Sequence, residues 1–304
     1  MTERQRSSNS VPQASPQLES GKQPDETAVL TVRSFGLTDT GKVRRTNQDQ
    51  FLIAALRKSL HVQATSLPAP KFQYGSDQSQ LFVVADGMGG HAGGETASAL
   101  AIDSVEAFVL NTFQWFAHVK GTDEDKLLAD FQKALAHANA RLLAEAAERP
   151  ELHGMGTTLT LAYRLNDMLF VAHVGDSRCY FLRRDQFYRL TRDHTLVDEM
   201  VRRGVLSAEE AQHNQWRHVI TNVVGGDTPA VDVEVHKVHL QAGDAVLLCS
   251  DGLTNMVADD EILRILRTES DPKRACELLV AQANERGGND NITVVIARFD
   301  LVAV

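Results

Sequence analysis

Three aspartates stand where apolar segments of the chain end or begin. Asp86 and Asp251 each close a short, mainly apolar run and precede a glycine, and Asp290 lies in a Gly-Gly-Asn-Asp-Asn segment directly before another apolar run. A strand end can aim a carboxylate, and an adjacent glycine lets a backbone carbonyl approach a ligand closely. Because oxygen donors without a soft ligand suit Mg²⁺ or Mn²⁺, the three together predict a divalent-cation site. Each Asp-Gly alone also fits an ordinary turn, so the prediction rests on their joint occurrence.

Four further segments have compositions that ordinary turns and core strands do not need. Segment 41–49 contains three cations and ends at Asp49, and segment 86–91 contains three glycines. Segments 154–158 and 174–178 place small and polar residues where core strands should be apolar. These segments add weight to the interpretation of the aspartates as a functional site.

The elements that must position these residues come in blocks along the chain. Alternating apolar and polar residues predict a strand from Val29, and continuous apolar runs predict strands at Phe51–Ala55 and Leu81–Ala85. Apolar residues spaced three and four positions apart predict helices over 97–112 and 128–142. Blocks of strands and helices favour an α+β domain with largely antiparallel sheets. The remaining pattern predicts four strands between 157 and 190, small helices over 196–212, strands at 231–240, 245–249 and 291–299, and helices at 261–266 and 272–284.

Six motifs, taken in order, resemble those of the protein phosphatase 2C family of metal-dependent phosphatases, in its bacterial form. The resemblance spans roughly residues 29–300. It implies a central β-sandwich of two mostly antiparallel sheets flanked by helices, in four αββα layers, with two metals in a cleft at one end. The motifs are TDTGKVRRTNQD (38–49), VADGMGGH (84–91), GMGTTL (154–159), VGDSR (174–178), CSDGL (249–253) and GGNDN (287–291).

The resemblance also implies roles for individual residues. Asp86 is expected to bridge two Mn²⁺ or Mg²⁺ ions, Gly87 to offer its backbone oxygen to one of them, and Asp251 and Asp290 to hold the other. The implied reaction is hydrolysis of phosphoserine and phosphothreonine in proteins by water that two cations activate, without a covalent phosphoenzyme. Cys249 is therefore not expected to be a nucleophile.

Substrate binding is implied by the same resemblance. Arg44 is expected to bind the substrate phosphate through its forked guanidinium, and Asp49 to order water around the metals. Residues 196–222 are expected to form a flap beside the cleft.

Three positions depart from the family pattern. Met88 replaces a histidine that many eukaryotic members carry as a proposed general acid, and Gln48 replaces a glutamate, which removes a charge near the metals. His153 stands where bacterial members often have an aspartate for a third metal. Imidazole suits Mg²⁺ and Mn²⁺ less well than a carboxylate does, so a third metal is expected to be weak, absent or assisted by His153.

The composition of the chain limits the kinds of molecule and cellular location that we expect for this protein. The chain has 304 residues and a net charge of −9, which argues against non-specific nucleic-acid binding and disfavours a metal-dependent nuclease. Residues 1–27 are polar and predict a disordered tail before a catalytic domain at 28–304. Without a long apolar run or a signal peptide, no membrane association and a cytoplasmic monomer are expected. The expected partners are phosphorylated proteins, a Ser/Thr kinase or its targets by family analogy.

One alternative function belongs to a different class. A phosphatase-like scaffold could bind phosphoproteins without turnover, and the departures at Gln48 and His153 favour that interpretation. The three aspartates argue against it, because a scaffold without activity has no need for all of them.

Overall fold

A computed structural model describes residues 28–57, 78–112, 122–227 and 230–303 of the protein. The predicted tail 1–27 lies outside these residues. So does most of segment 57–80, whose polar and irregular sequence with two prolines predicts a long surface loop, although both ends of that segment belong to strands. The described residues form the predicted α+β fold with two antiparallel sheets. No helix among them is both long enough and apolar enough to cross a membrane.

The described part of the chain holds twelve strands in two sheets. In chain order they are β1 (Ala28–Asp39), β2 (Asp49–Arg57), β3 (Gln78–Met88), β4 (Gly156–Thr157), β5 (Leu159–Leu165), β6 (Met168–Val174), β7 (Arg178–Arg183), β8 (Gln186–Arg189), β9 (Val224–Gly225), β10 (Glu234–His239), β11 (Ala245–Cys249) and β12 (Ile292–Ala303).

One sheet has the order β1-β12-β11-β7-β8, and the other has the order β10-β6-β5-β3-β4-β9 with β2 paired to β3. The strand pairs are antiparallel. The first and last strands of the domain meet in this arrangement, because β1 pairs along its whole length with β12.

The described residues form seven α-helices, and four of them cover the outer faces of the sheets. The seven are α1 (Gly90–Thr112), α2 (Thr122–Glu148), α3 (Leu196–Arg202), α4 (Ala208–Gln212), α5 (Asp251–Thr254), α6 (Asp259–Thr268) and α7 (Pro272–Glu285). Helices α1 and α2 pack on the seven-stranded sheet, α6 and α7 pack on the five-stranded sheet, and a third apolar cluster lies between the sheets. Three cores between four layers are the predicted αββα arrangement.

The apolar run in β3 is explained by burial on both faces. Leu81 and Val83 point toward the α1 and α2 layer, whereas Phe82 and Val84 point toward the other sheet. Side chains of a strand alternate between its faces, so a strand in an inner layer needs apolar residues at every position. The same rule explains β11 and β12, whose side chains also alternate between two of the cores.

The structure differs from the predicted elements at the functional segments. Strand β3 continues through Asp86 and Gly87 to Met88, because Asp86 pairs with Asp49 of β2 and the next two residues pair with β4. Strand β10 is shorter than predicted. The short elements β4, β9 and α5, and one 3₁₀ turn at Pro150–Leu152, were not predicted, since each is too short to show a periodicity.

Candidate metal centre

Asp86 is held by the threonine motif on the neighbouring strand. Its backbone N–H donates to Thr158 Oγ1 at 3.0 Å, and its carbonyl oxygen accepts from Thr158 N at 2.8 Å and from Thr157 Oγ1 at 2.9 Å. The Thr158 hydroxyl also bonds Ser177 Oγ at 2.8 Å. The polar residues of segments 154–158 and 174–178 therefore fix the backbone that carries Asp86.

Gly87 lies at a point where three backbone segments converge. A Cβ there would meet Gly94 O at 2.0 Å and Gln48 O at 2.8 Å, and both contacts are with backbone atoms that cannot swing away. Gly87 N also donates to Gln48 O at 3.2 Å. Glycine is needed here because the start of α1 and the end of segment 41–49 close directly on β3.

Gly87→Ala should destabilise the fold and lower activity, because an added methyl group must displace backbone on two sides. We expect a loss of roughly 3 kcal/mol in unfolding free energy, measured by urea denaturation. Gly93→Ala is the matched control, since its Cβ would come no closer than 3.3 Å to any neighbour, at Met155 Cβ. Equal stability of the two variants would contradict the convergence described for Gly87.

Arg44 is positioned by the asparagine that follows Asp290. Asn291 Nδ2 donates to the carbonyl oxygens of Thr40 and Thr46, each at 3.0 Å, and so fixes both sides of the loop. The exposed Arg44 then reaches across to Asp290, with Nη2 and Oδ2 2.7 Å apart. The predicted phosphate ligand and a predicted metal ligand are thus adjacent.

Asp49 is buried directly across from Asp86 in the pairing of β2 with β3. Its Oδ2 accepts from Ser250 Oγ at 2.7 Å, while its Oδ1 is buried without a donor. Burial, with smaller contributions from Asp251 and Asp290, raises the pKa of Asp49 to about 7. A carboxylate in this position is destabilised by its surroundings unless a positive charge comes close.

The other carboxyl groups show the same need for positive charge. Burial, followed by the charges of Asp49 and Asp251, raises the pKa of Asp86 well above its usual range. Burial and the charge of Asp290 raise the pKa of Asp251, whose Oδ1 is buried without a donor. Crowded oxygens that lack donors fit one or more divalent cations, which would offset this repulsion and favour the ionised carboxylates.

One cleft of about 770 Å³ is lined by Arg44, Asp86, Asp251 and Asp290, and Asp49 is buried beneath its lining. Asp86, Asp251 and Asp290 form its acidic part, and Arg44 lies on its rim. The flap, residues 196–222, lies along one side of the cleft. A β-bridge joins Ile220 to Thr195, directly before the flap, and the end of the flap contributes Arg217, His218 and Ile220 to the lining.

Asp176 is an acidic residue of the cleft that sequence reasoning did not assign. It is buried, it lines the cleft, and burial together with the charge of Asp251 raises its pKa to about 8. The polar composition of segment 174–178 was a signal for it. Its proximity to Asp251 could not be read from the sequence, because Asp176 lies in the turn between β6 and β7 whereas Asp251 begins α5, 75 positions later.

His153 is placed differently from the aspartates. It is exposed, it follows the 3₁₀ turn, and its N–H donates to Pro150 O at 3.2 Å. It is not among the residues that line the cleft, whereas Gln48 and Met88 are. Its assignment to a third metal therefore stays a prediction.

A second group of titratable side chains, His173, His194 and Glu234, is compact enough to suggest a metal site. However, His173 uses both ring nitrogens: Nδ1 pairs with Thr160 Oγ1 at 2.8 Å and Nε2 with Gly175 O at 3.0 Å. Burial and the neighbouring His194 lower the pKa of His173 to about 4, so its ring is neutral. The group is a hydrogen-bonded support for the turn that carries Asp176.

The comparisons with known proteins agree with this geometry. The sequence profile of the Protein phosphatase 2C family matches residues 70–285, which is more than half of the chain. The chain belongs to the protein phosphatase 2C family. It is 34% identical over 226 residues to the serine/threonine phosphatase stp of Listeria innocua, covering 74% of this chain and 87% of that relative.

Solved structures of the phosphatase 2C family show the same fold. The Mycobacterium tuberculosis serine/threonine phosphatase PstP/Ppp has a TM-score of 0.72 and 32% identity, and the match covers 88% of this chain and 99% of that one. The catalytic domain of PstP, in complex with two manganese ions, has a TM-score of 0.70 and 32% identity, covering 89% and 99% of the two chains. Two metals in that relative match the number that the resemblance implied for this chain.

Proposed function

We propose that this protein hydrolyses phosphoserine and phosphothreonine in other proteins, with two Mn²⁺ or Mg²⁺ ions held by Asp86, the Gly87 carbonyl, Asp251 and Asp290. It is a metal-dependent serine/threonine protein phosphatase. The observation that carries this function is the meeting of crowded carboxylates and an arginine in one cleft. The phosphatase names of its relatives support the same function and do not favour a scaffold without turnover.

The bound cations would supply charge that activates water and offsets the negative charge of the phosphate. The chain's own groups do the rest. Asp49 Oδ1, which has no hydrogen-bond partner, can accept a hydrogen bond from water near the proposed metal ligands. Asp49 Oδ2 is fixed by the hydrogen bond that Ser250 Oγ donates to it. Arg44 offers several N–H donors to the phosphate, and its contact with Asp290 keeps it at the acidic part of the cleft.

No thiol competes with water as the nucleophile. Cys249 is the cysteine nearest to the site in sequence, and it is buried in the apolar core below α5. Burial raises the pKa of Cys249 to about 12, so the thiolate that a covalent mechanism requires is absent near neutral pH. The arrangement supports direct transfer of the phosphoryl group to water.

Phosphate release from a phosphothreonine peptide, with Mn²⁺ and with chelator, tests the function. An enzyme releases phosphate repeatedly and only with the metal, whereas the scaffold alternative binds the peptide without release. Peptide binding measured in parallel by fluorescence anisotropy separates the two outcomes. Binding without metal-dependent release would overturn the proposed function.

Arg44→Ala should raise KM for the phosphopeptide by about 10- to 100-fold, with a smaller fall in kcat, because a charged hydrogen bond to the phosphate is lost. Arg44→Lys should bring KM only part of the way back to the unmodified value, since an ammonium group lacks the forked geometry of guanidinium. Steady-state kinetics on both variants checks this. Arg45→Ala is the control on the same loop, and a larger effect there would mean that Arg45 binds the phosphate.

Finer assignments remain proposals that family analogy supports. The substrates are proposed to include a Ser/Thr kinase or its targets, and the protein to act as a monomer in the cytoplasm. The catalytic domain is proposed to span residues 28–304, and a third cation, if His153 assists it, to bind more weakly than the other two.

A further inference from the structure

The leaving oxygen of phosphoserine or phosphothreonine needs a proton as its bond to phosphorus breaks, because an alkoxide is a poor leaving group. Met88 lines the cleft directly after Gly87, and a thioether has no proton to donate. Residue 88 therefore cannot be the donor, and the proton must come from water in the cleft or from another side chain that carries a dissociable proton.

Most polar side chains of the cleft are unsuited to that transfer. The three aspartates proposed as metal ligands must be ionised to bind cations, the arginines hold their protons too tightly, and side-chain amides are not acids. Asp176 is the competing donor, but it is buried in the cleft, whereas His218 is exposed at the side from which a protein substrate enters. Among the described residues that line the cleft, His218 is the one imidazole. Imidazole is the side chain that most readily binds and releases a proton near neutral pH.

His218 is held in the last turn of the flap by backbone bonds on both sides. Arg217 N donates to Asn214 O at 3.2 Å, and the Val219 carbonyl oxygen accepts from Leu196 N at 2.9 Å. The first bond closes the turn itself, and the second attaches it to the start of α3. The imidazole can move on its own side-chain torsions while its backbone stays at the edge of the cleft.

The side chain also lies within electrostatic reach of the metal centre. Burial and Asp290 raise the pKa of Asp251, and the positive charge of protonated His218 acts in the opposite direction. No ion pair joins His218 to Asp251 in the described structure, so the ring is not committed to a carboxylate. His218 lies near the aspartates of the cleft without pairing with them, so its imidazole can face the serine or threonine oxygen of a substrate that enters from solvent.

We propose that His218 is the general acid that protonates the leaving serine or threonine oxygen, an inference that rests on the proposed function. As the bond from phosphorus to that oxygen breaks, the imidazolium N–H transfers its proton to the oxygen and neutral serine or threonine departs. The attacking water forms the new P–O bond, leaves one hydrogen on the phosphate product and releases the other. The neutral imidazole regains a proton from solvent, so protons balance over the cycle.

The test compares leaving groups in the full chain with saturating Mn²⁺. His218→Asn should lower kcat for a phosphothreonine peptide by roughly 10²-fold. It should leave kcat for p-nitrophenyl phosphate nearly unchanged, because p-nitrophenolate departs without a proton. His213→Asn is the matched control, since His213 is an exposed histidine at the end of α4 that does not line the cleft. Free imidazole should restore part of the peptide activity of His218→Ala.

Several outcomes would overturn the inference. An equal fall for both substrates in His218→Asn would show that His218 binds phosphate or supports the flap. An unchanged kcat of His218→Asn for the peptide would assign the proton to another group. The same conclusion would follow if Asp176→Asn, and not His218→Asn, lost peptide activity while keeping p-nitrophenyl phosphate activity. Absence of metal-dependent turnover of either substrate by the unmodified protein would instead overturn the proposed function, and this inference with it.

Discussion

Asp86→Asn should lower kcat/KM for a phosphothreonine peptide by on the order of 10³-fold or more, equivalent to about 4 kcal/mol of barrier. Asp86 is the central carboxylate of the site, and the amide removes a negative charge on which the proposed metal binding depends. Asn is nearly isosteric, and the backbone bonds of residue 86 to Thr158 do not involve the carboxylate. The variant should therefore stay folded.

Although Asp86→Asn should lower activity, it should stabilise the fold when no metal is bound. Asp86 repels Asp49 and Asp251 when these groups ionise, so a neutral residue should raise the melting temperature of chelated protein. Asp185→Asn is the control, because that aspartate is exposed and forms a surface pair with Arg267 that contributes little. Near-normal turnover of folded Asp86→Asn would overturn the proposed metal centre.

Removal of metal should make the stability of the protein fall as pH rises. Burial raises the pKa of Asp49 from 3.8 to about 7, and burial with the charge of Asp251 raises that of Asp176 to about 8. The folded chain thus binds these protons more tightly than the unfolded chain. The resulting stability is fully present below the unfolded pKa, near 4, and is lost as pH rises through about 7 and 8.

The magnitude of this loss should be large, because a shift of this size on one carboxyl corresponds to roughly 4 kcal/mol. Mn²⁺ should cancel it, so the metal should raise the melting temperature much more at pH 8 than at pH 5. Calorimetry with chelator and with Mn²⁺ across this range measures both effects. Asp49→Asn should flatten the decline in chelated protein. A melting temperature that rises toward pH 8 without metal would contradict the proposed crowding of the carboxylates.

Parts of the site were predictable because their residue types are unfavourable for packing alone. Glycine stands beside Asp86 and Asp251, and polar threonines and serines occupy positions where a core strand should be apolar. The structure gives these residues specific partners, such as the bonds from Thr158 to the backbone of Asp86. Gly87 likewise meets backbone on two sides, which is why a side chain is missing there.

Other parts required long-range pairing that local patterns do not encode. Asp49 lies opposite Asp86 only because of the register of β2 on β3, and a slip of one residue would turn its side chain to the other face. Asp176 and His218 reach the cleft from a turn and from the flap, which lie far from the aspartates in sequence. The polar composition of segment 174–178 marked Asp176 without showing its neighbours, whereas His218 stands in no pattern that distinguishes it from an ordinary polar surface residue.

The sequence by itself determined the fold class, the family and the aspartates that make up the acidic part of the cleft. These follow from local signals: apolar strands buried on both faces, and motifs in which each residue type serves one backbone or ligand requirement. Only the tertiary structure decided which carboxylates crowd one another, which buried oxygens lack donors, and which histidine lines the cleft. The physical reason is that charge repulsion, burial and proton transfer depend on distances between side chains, and sheet register and flap closure set those distances across hundreds of residues of chain.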